Sequence, residues 1–522
     1  MKNTKKNAAF TAGFMAAATL LAKACGMLRD ILIAGLYGTA TDSAIAFSAA
    51  SRIPLLFFDI ALGSAVTSAF IPVFNEYVAK NEEKRALDFA NSFINLIIFI
   101  TVVISVLGII FSKGIVTLFV GDLSSGSALA LSALLTKILF PTIIFTGVAY
   151  CFVGLLQSYG EFFIPAIISL VSNVVLILYI IVFGDKFGVQ GVSVAMVVAW
   201  STQCLVQIPS LVKLKYRFKP VLKFNDEGIK NVCKLALPII LSTWMQPINT
   251  MVNMRLASSL NGGEAMTALD YANKIYILLV GVFTFTATNL IFPSLSRASA
   301  VGDDEKFTAI LGKAIRYVML IIVPVMIGFL LLSSEIIRLF YERGEFNAQS
   351  TALTSTALFC YSFGMLGYGM QEMANKGFYA LHDGKTPMRV AIWGIAVNII
   401  LSVIFVNVLK VGLGGLAVSA AIAANVIGFS LLFILNRRHR GLLTKETGVF
   451  ALKILISVAI MGIVVFAVKQ FTADANKLFA VIIPALAGAL TYFVLCALLR
   501  VYEFTSLFEN AKSILKRRGE NE

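Results

Sequence analysis

Apolar stretches of about 20 residues or more recur from one end of this 522-residue chain to the other. Each is long enough to cross a bilayer as an α-helix. About fourteen can be counted, over roughly 9–34, 43–74, 87–112, 129–157, 162–183, 188–211, 231–258, 265–296, 309–332, 351–380, 387–408, 413–435, 449–469 and 476–500. A backbone in hydrocarbon must satisfy its own hydrogen bonds, which leaves helices or a closed barrel. Barrel strands are short and alternate strictly, and these runs do neither. Only 14% of the residues are charged and 58% are hydrophobic, whereas soluble chains average about 25% charged. The expected fold is an all-α polytopic membrane protein with about 14 transmembrane helices.

The chain is also written twice. Arg52-Ile53 recurs as Lys274-Ile275, and Ile71-Pro72 as Phe292-Pro293. Gly154-Leu155-Leu156…Pro165 recurs as Gly377-Phe378-Tyr379…Pro387, and Gly188…Gly191-Val192 as Gly412…Gly415-Leu416. These landmarks lie 222, 221, 222 and 224 residues apart, a constancy that signals an internal repeat. Six helices per repeat is an even number, so both halves enter the membrane in the same direction, as parallel repeats. The expected organisation is an N-terminal lobe over 1–212 (helices one to six) and a basic cytoplasmic linker over 213–234. A C-terminal lobe follows over 235–436 (helices seven to twelve), then helices thirteen and fourteen with a basic tail over 437–522.

A net charge of +15 would suggest nucleic acid in a soluble protein, but its placement points elsewhere. With a cytoplasmic N-terminus, the inner segments collect Lys2, Lys5, Lys6, Lys80, Lys84 and Arg85. They also collect Lys213, Lys215, Arg217, Lys219, Lys223, Lys230, Arg437, Arg438, Arg440, Lys512, Lys516, Arg517 and Arg518. The outer loops hold a scattered few, such as Lys113, Lys186, Lys410, Lys469 and Lys477. This bias places both termini in the cytoplasm and gives an inner surface suited to anionic membrane lipids; nucleic acid is not an expected partner. Ala22-Lys23-Ala24-Cys25 loosely resembles a lipoprotein cleavage box. The lysine inside it and the continuation through Met27-Leu28 argue for an uncleaved first helix. Cys25, Cys151, Cys204, Cys233, Cys360 and Cys496 lack motif spacing and read as small apolar core residues, not as a disulfide or metal framework.

Ionisable residues inside membrane helices are costly and are functional candidates. Lys23, Arg29 and Asp30 fall in the first helix, Arg52 and Asp59 in the second, and Arg255 in the seventh. Asp270 and Lys274 fall in the eighth, with Lys137, Glu372 and Lys376 farther on. The repeat makes Arg52 and Lys274 equivalent. Arg29, nine residues before Gly38, and Arg255, seven before Gly262, occupy similar places. Four mirrored cations would line a hydrated cavity whose ligand is an anion, and arginine forks suit phosphate or pyrophosphate. The plainer alternative pairs Arg29 with Asp30 and lets Arg255 and Lys274 snorkel outward. For Asp59, Lys137 and Glu372, packing ion pairs and function stay open. His382 and His439 are the only histidines, and no P-loop or metal cluster is present. No catalytic residue and no metal ligand is therefore assigned, and motive force falls to an ion gradient, the membrane potential or the substrate gradient.

Several segments carry a family resemblance. Thr19-Leu-Leu-Ala-Lys-Ala-Cys-Gly-Met-Leu-Arg29-Asp30, with Tyr37-Gly38 and Thr41-Asp42, resembles the opening of the MurJ/MviN lipid II flippases. Further matching segments are Arg52-Ile-Pro, Ala69-Phe-Ile-Pro-Val-Phe-Asn-Glu-Tyr77, Tyr271-Ala-Asn-Lys274, Phe292-Pro-Ser-Leu-Ser and Gly377-Phe-Tyr-Ala-Leu-His-Asp-Gly-Lys-Thr-Pro387. The resemblance implies the fold of the multidrug/oligosaccharidyl-lipid/polysaccharide exporter superfamily, with two six-helix lobes and an extra helix pair. It implies Lys23, Arg29, Arg52, Arg255 and Lys274 as cations that bind the pyrophosphate-sugar headgroup, with Asp30 and Asp42 as supporting acidic positions. A groove formed with the last two helices would take the polyprenyl tail. Relatives often have arginine where this chain has Lys23 and Lys274. Many also carry Asn-Leu-Leu-Arg-Arg where this chain reads Leu55-Leu56-Phe57-Phe58-Asp59, so no role transfers there. Some relatives use sodium as a coupling ion; no site for one is placed here, and no other cofactor is expected.

The function these readings imply is alternating-access flipping of an undecaprenyl-pyrophosphate-linked peptidoglycan precursor across the bacterial cytoplasmic membrane, with cell-wall synthesis proteins as candidate partners. The alternatives are an exporter of another lipid-linked oligosaccharide and a non-transporting scaffold for envelope assembly. A cation-drug antiporter would need an acidic cavity, which the cations disfavour.

Overall fold

The computed structural model describes residues 2–62, 65–121, 123, 126–220, 227–439, 441–442 and 444–505. Lys223, Arg440, Lys512, Lys516, Arg517 and Arg518 of the expected inner charge lie outside the described residues. In chain order the helices are α1 (Lys2–Tyr37), α2 (Asp42–Ala61), α3 (Ala65–Ala79), α4 (Glu83–Ile110), α5 (Ser112–Val120), α6 (Gly126–Leu139) and α7 (Thr142–Ser158). Next come α8 (Phe163–Phe183), α9 (Gly188–Leu205), α10 (Ile208–Lys213), α11 (Glu227–Thr243), α12 (Met245–Ser258), α13 (Glu264–Val301) and α14 (Asp304–Phe340). The last are α15 (Ala348–Ser362), α16 (Met365–Ala380), α17 (Lys385–Val403), α18 (Leu413–Arg438), α19 (Lys445–Phe471) and α20 (Lys477–Leu498).

The fold is all-α and polytopic. Among the described residues, ten helical spans are long and apolar enough to cross a membrane; the other expected crossings fall on α1, α11–α12, α13 and α15–α16. The repeat is visible in the helix boundaries. The pairs α2/α13, α4/α14, α6/α15 and α8/α17 begin 222, 221, 222 and 222 residues apart. The break between α6 and α7 at Phe140–Pro141 has its counterpart between α15 and α16 at Phe363–Gly364.

The chain forms two compact units, Met1–Thr267 with Arg343–Asn347, and Ala268–Glu342 with Ala348–Glu522. In the first, α1 packs on α8, α2 on α6, and α7 on α3, α4 and α9, while α11 lies on α3 and α12 on α5. Its core draws on Ile33, Tyr37, Ala46, Leu135, Leu176 and Val192. After α10 the chain is tied back to α4. The Asn91 carboxamide oxygen accepts from Tyr216 Oη (2.8 Å) and Lys219 N (2.9 Å), and Asn95 Nδ2 donates to Lys219 O (2.7 Å).

In the second unit, α14 packs against α15, α16, α19 and α20, and α16 lies along α18. Side chains replace the backbone bonds that α14 loses. Pro324 has no N–H, which leaves the Leu320 carbonyl without its usual partner; Tyr492 of α20 donates its hydroxyl to that oxygen at 2.8 Å. Leu332 departs from helical geometry. Lys469 of α19 donates to the exposed turn at Leu331 O (2.8 Å) while pairing with Glu335 (3.0 Å). Tyr492→Phe is therefore expected to lower unfolding stability by about 1–3 kcal/mol, the cost of a stranded buried carbonyl. Thermal unfolding in detergent checks this.

The Gly377–Pro387 motif is a corner between α16 and α17. Asp383 accepts from Thr386 Oγ1 (2.7 Å) and from the first two N–H groups of α17, on Lys385 (3.1 Å) and Thr386 (3.0 Å). It also pairs with Arg438 at 2.6 Å. The Thr386 hydroxyl foremost, and the Arg438 guanidinium with it, hold this carboxyl well below the usual carboxylate range. A depressed folded pKa stabilises above the unfolded value of about 3.9 and is lost as pH falls through the folded value. Asp383→Asn should flatten the acid limb of the pH–stability curve and leave the neutral limb's slope unchanged.

Candidate functional site

The expected cations fall in both units, Lys23, Arg29, Arg52 and Arg255 in the first and Lys274 in the second. In the first, Arg29 projects from α1 toward α8 and α9. Its Nε and one terminal nitrogen donate to Asp30 Oδ1 (3.1 and 2.9 Å), and the other donates to Asn173 Oδ1 of α8 (3.0 Å). The guanidinium carbon stands 6.0 Å from the Trp200 ring centre on α9. Asp30 is buried, and Arg29 nearly so. The pairing read as the plainer alternative is thus formed. Three of the five donors of the guanidinium fork are engaged in these bonds.

Lys23 is exposed on α1. Six residues separate it from Arg29, about 120° around the helix, so the two address different surroundings. Arg52 is partly buried in α2, two residues before Pro54. Asp42 starts α2, where a carboxylate complements the helix dipole, and accepts from Ser127 Oγ of α6. Its neighbour Thr41 caps the same helix, accepting from Ala44 N at 3.1 Å. The acidic position in the motif therefore has a local structural duty.

Arg255 caps a helix end. Its terminal nitrogen donates to Thr117 O of α5 at 2.8 Å, and Ser258 Oγ donates to Val120 O. A cation is favoured at such a C-terminus. The guanidinium lies over Gly121, where φ is +73° and a Cβ would come within 2.1 Å of it. Arg255 is not the strict counterpart of Arg29. Counting 222 residues on from Arg29 reaches Met251, and Arg255 aligns with Ile33, about one turn away.

In the second unit, Lys274 pairs with Asp270 one turn back on α13 (3.0 Å), and its ammonium lies 5.3 Å from the Tyr271 ring centre. Arg29 and Lys274, one from each half, thus sit beside a carboxylate on their own helix. Lys376 of α16 stands 5.5 Å from the ring centre of Phe292. Among the described residues, Asp59, Lys137 and Glu372 form no ion pair. Of the cysteines, Cys151, Cys204 and Cys496 are buried, while Cys233 is exposed on α11, against expectation.

Sequence reasoning missed Asn173, Trp200 and Glu264. Glu264 is buried at the start of α13 and accepts from Thr39 Oγ1 at 2.6 Å. It lies 222 residues after Asp42, so the repeat could have located it. Nothing local to residues 173 or 200 marks them as companions of Arg29. The second unit also contains an apolar groove of about 890 Å³ between α14, α19 and α20, walled by Pro324, Gly328, Phe329, Met461, Ala485 and Phe493 among others.

The family model described as "Lipid II flippase MurJ" matches residues 33–485. The lipid II flippase MurJ of Burkholderia cenocepacia is 27% identical over 437 residues, covering 82% of this chain and 84% of the relative. A probable lipid II flippase MurJ of Treponema pallidum is 28% identical over 471 residues, 87% of each. A solved lipid II flippase MurJ in an inward closed conformation superposes with a TM-score of 0.78 at 26% identity, over 95% of this chain and 99% of that one. An inward-facing multidrug resistance MATE family transporter of the MOP superfamily matches at TM-score 0.68 and 17% identity, over 81% and 95%; that likeness concerns the fold alone.

Proposed function

The chain belongs to the lipid II flippase MurJ family, and from that premise we propose how its residues carry the substrate. It is a lipid II flippase, a multi-pass transporter of the cytoplasmic membrane serving peptidoglycan biosynthesis. The match over residues 33–485 is the observation that carries this reading.

Net movement runs from the inner to the outer leaflet, with both termini cytoplasmic, as the inward bias of lysine and arginine supports. The pyrophosphate is neutralised by Lys23, Arg29, Arg52, Arg255 and Lys274, replacing hydration that hydrocarbon cannot supply. Arg29 and Lys274 are held in position by Asp30 and Asp270, so they are oriented before the ligand arrives. The polyprenyl tail lies in the apolar groove of α14, α19 and α20, whose walls offer it no charge. An outside-positive potential acts on a net cationic site by about 2.3 kcal/mol per charge per 100 mV. The two clasped pairs contribute no net charge to that movement.

Depleting the protein in its bacterium and measuring leaflet-resolved lipid-linked precursors tests the assignment. Lipid II should accumulate on the inner leaflet. Accumulation of another glycolipid with lipid II unaffected would overturn it.

A further inference from the structure

Beyond the transport cations, the second unit holds a separate basic slot where α13 ends and α14 begins. We propose that it binds the phosphate-bearing headgroup of an anionic phospholipid from the inner leaflet, a phosphatidylglycerol-like lipid that is not the transported substrate.

The slot has a volume of about 450 Å³. One wall is a single stripe of α14, formed by Lys306, Ile310, Lys313 and Tyr317. These recur at i, i+4, i+7 and i+11 and therefore share a face. The opposite wall is the last stretch of α13, with Ser294 and Arg297 on it. Three cations thus meet in one concavity floored by Ala298 and Ala314, both buried.

The nearby carboxylates are Asp303, Asp304 and Glu305 at the start of α14. Asp303 caps α14, accepting from Lys306 N at 2.9 Å. Asp304 faces His439 Nδ1 at 3.3 Å, and Arg316, the next cation along α14, is paired with Glu503. Among the described residues, the ammonium groups of Lys306 and Lys313 have no carboxylate partner, and Arg297 Nε reaches only the Pro293 carbonyl at 3.3 Å.

Depth decides the ligand. The first turn of α14 carries Asp304, Glu305 and Lys306, charges that hydrocarbon does not accept, so this end of the helix stands in the headgroup layer. Lys306 lies at the mouth, and Lys313 lies about 10 Å farther along the helix axis. A lipid phosphate entering sideways meets both, with Ser294 on the opposite wall and Ile291 and Ile310 beside the first methylenes. Basic pockets between helices on the cytoplasmic side are suited to anionic headgroups.

This inference rests on the membrane orientation given above, so the test reads binding rather than transport. The full-length protein in neutral detergent is titrated with dioctanoyl-phosphatidylglycerol, with glycerophosphoglycerol and with inorganic phosphate, following the thermal unfolding midpoint. The lipid should raise the midpoint of the unaltered chain. Its apparent affinity should fall roughly 100-fold in R297Q/K306Q/K313Q, and about fivefold in Lys313→Gln alone should the triple variant fold poorly. A control at another inner segment, K80Q/K84Q/R85Q, should bind as the unaltered chain does. Equal weakening in both triple variants means diffuse surface charge and overturns the site. So does a response to inorganic phosphate or glycerophosphoglycerol as strong as to the lipid, or no response at all. A failure of transport with lipid binding intact would count against the flippase assignment and leave the slot standing.

Discussion

Arg29→Ala is expected to abolish lipid II transport and to destabilise the protein at the same time. The second effect has a simple origin. Asp30 is buried against the Arg29 guanidinium, and removing one partner of a buried pair costs about 3–5 kcal/mol. The functional loss has to be separated from it. R29A/D30N removes the stranded carboxylate along with its partner, so it should fold close to the unaltered chain. Transport should nevertheless stay at least about 100-fold down, because Arg29 is assigned to the pyrophosphate as a charge-assisted fork. Arg29→Lys keeps the charge without the fork, and should recover stability more fully than rate. Unfolding midpoints beside initial flipping rates for the four proteins check the split. If R29A/D30N transports normally, Arg29 merely neutralises Asp30.

Gly428→Leu is expected to prevent assembly of the second unit. A Cβ at Gly428 would lie 2.2 Å from the Gly367 carbonyl oxygen, and one at Gly367 would lie 2.4 Å from the Asn425 Cα. The obstacle is backbone on both sides, so no rotamer relieves it, and α16 and α18 would have to separate. Small residues at such crossings are what allow membrane helices to pack. Separation also removes the Asn425 Nδ2 bond to Phe363 O (2.8 Å), which serves the break between α15 and α16. The combined cost should exceed about 3 kcal/mol, the upper part of the usual overpacking range. Yield of monodisperse protein should collapse. Gly448→Ala, where nothing lies within 4 Å of the added carbon, should behave as the unaltered chain.

Most of the architecture is legible in the sequence, because hydrocarbon leaves the backbone few options. Apolar run lengths locate ten spans among the described residues, and the roughly 222-residue offset of the sequence landmarks reappears in the paired helix starts. The charged residues are legible as exceptions to apolarity. Their partners are only half so. Asp30 and Asp270 stand one and four residues from their cations, within reach of local reasoning. Asn173 lies 144 residues from Arg29, and its role follows from the α1–α8 crossing, which no periodicity encodes. Arg255 shows the same limit. Its spacing suggests a twin of Arg29, yet one turn of displacement sends it to the end of α5. Repeats preserve helix boundaries more faithfully than side-chain register.

The proposed role of these cations in moving lipid II can be measured on the purified protein. Sealed vesicles of purified protein, loaded with headgroup-labelled lipid II and probed by a membrane-impermeant reagent, test it most directly. The unaltered chain should expose label initially shielded in the far leaflet, whereas R29A/D30N and Arg255→Ala should do so at or near the rate of empty vesicles. Equal rates for all three proteins, or no exposure by the unaltered chain, would contradict it.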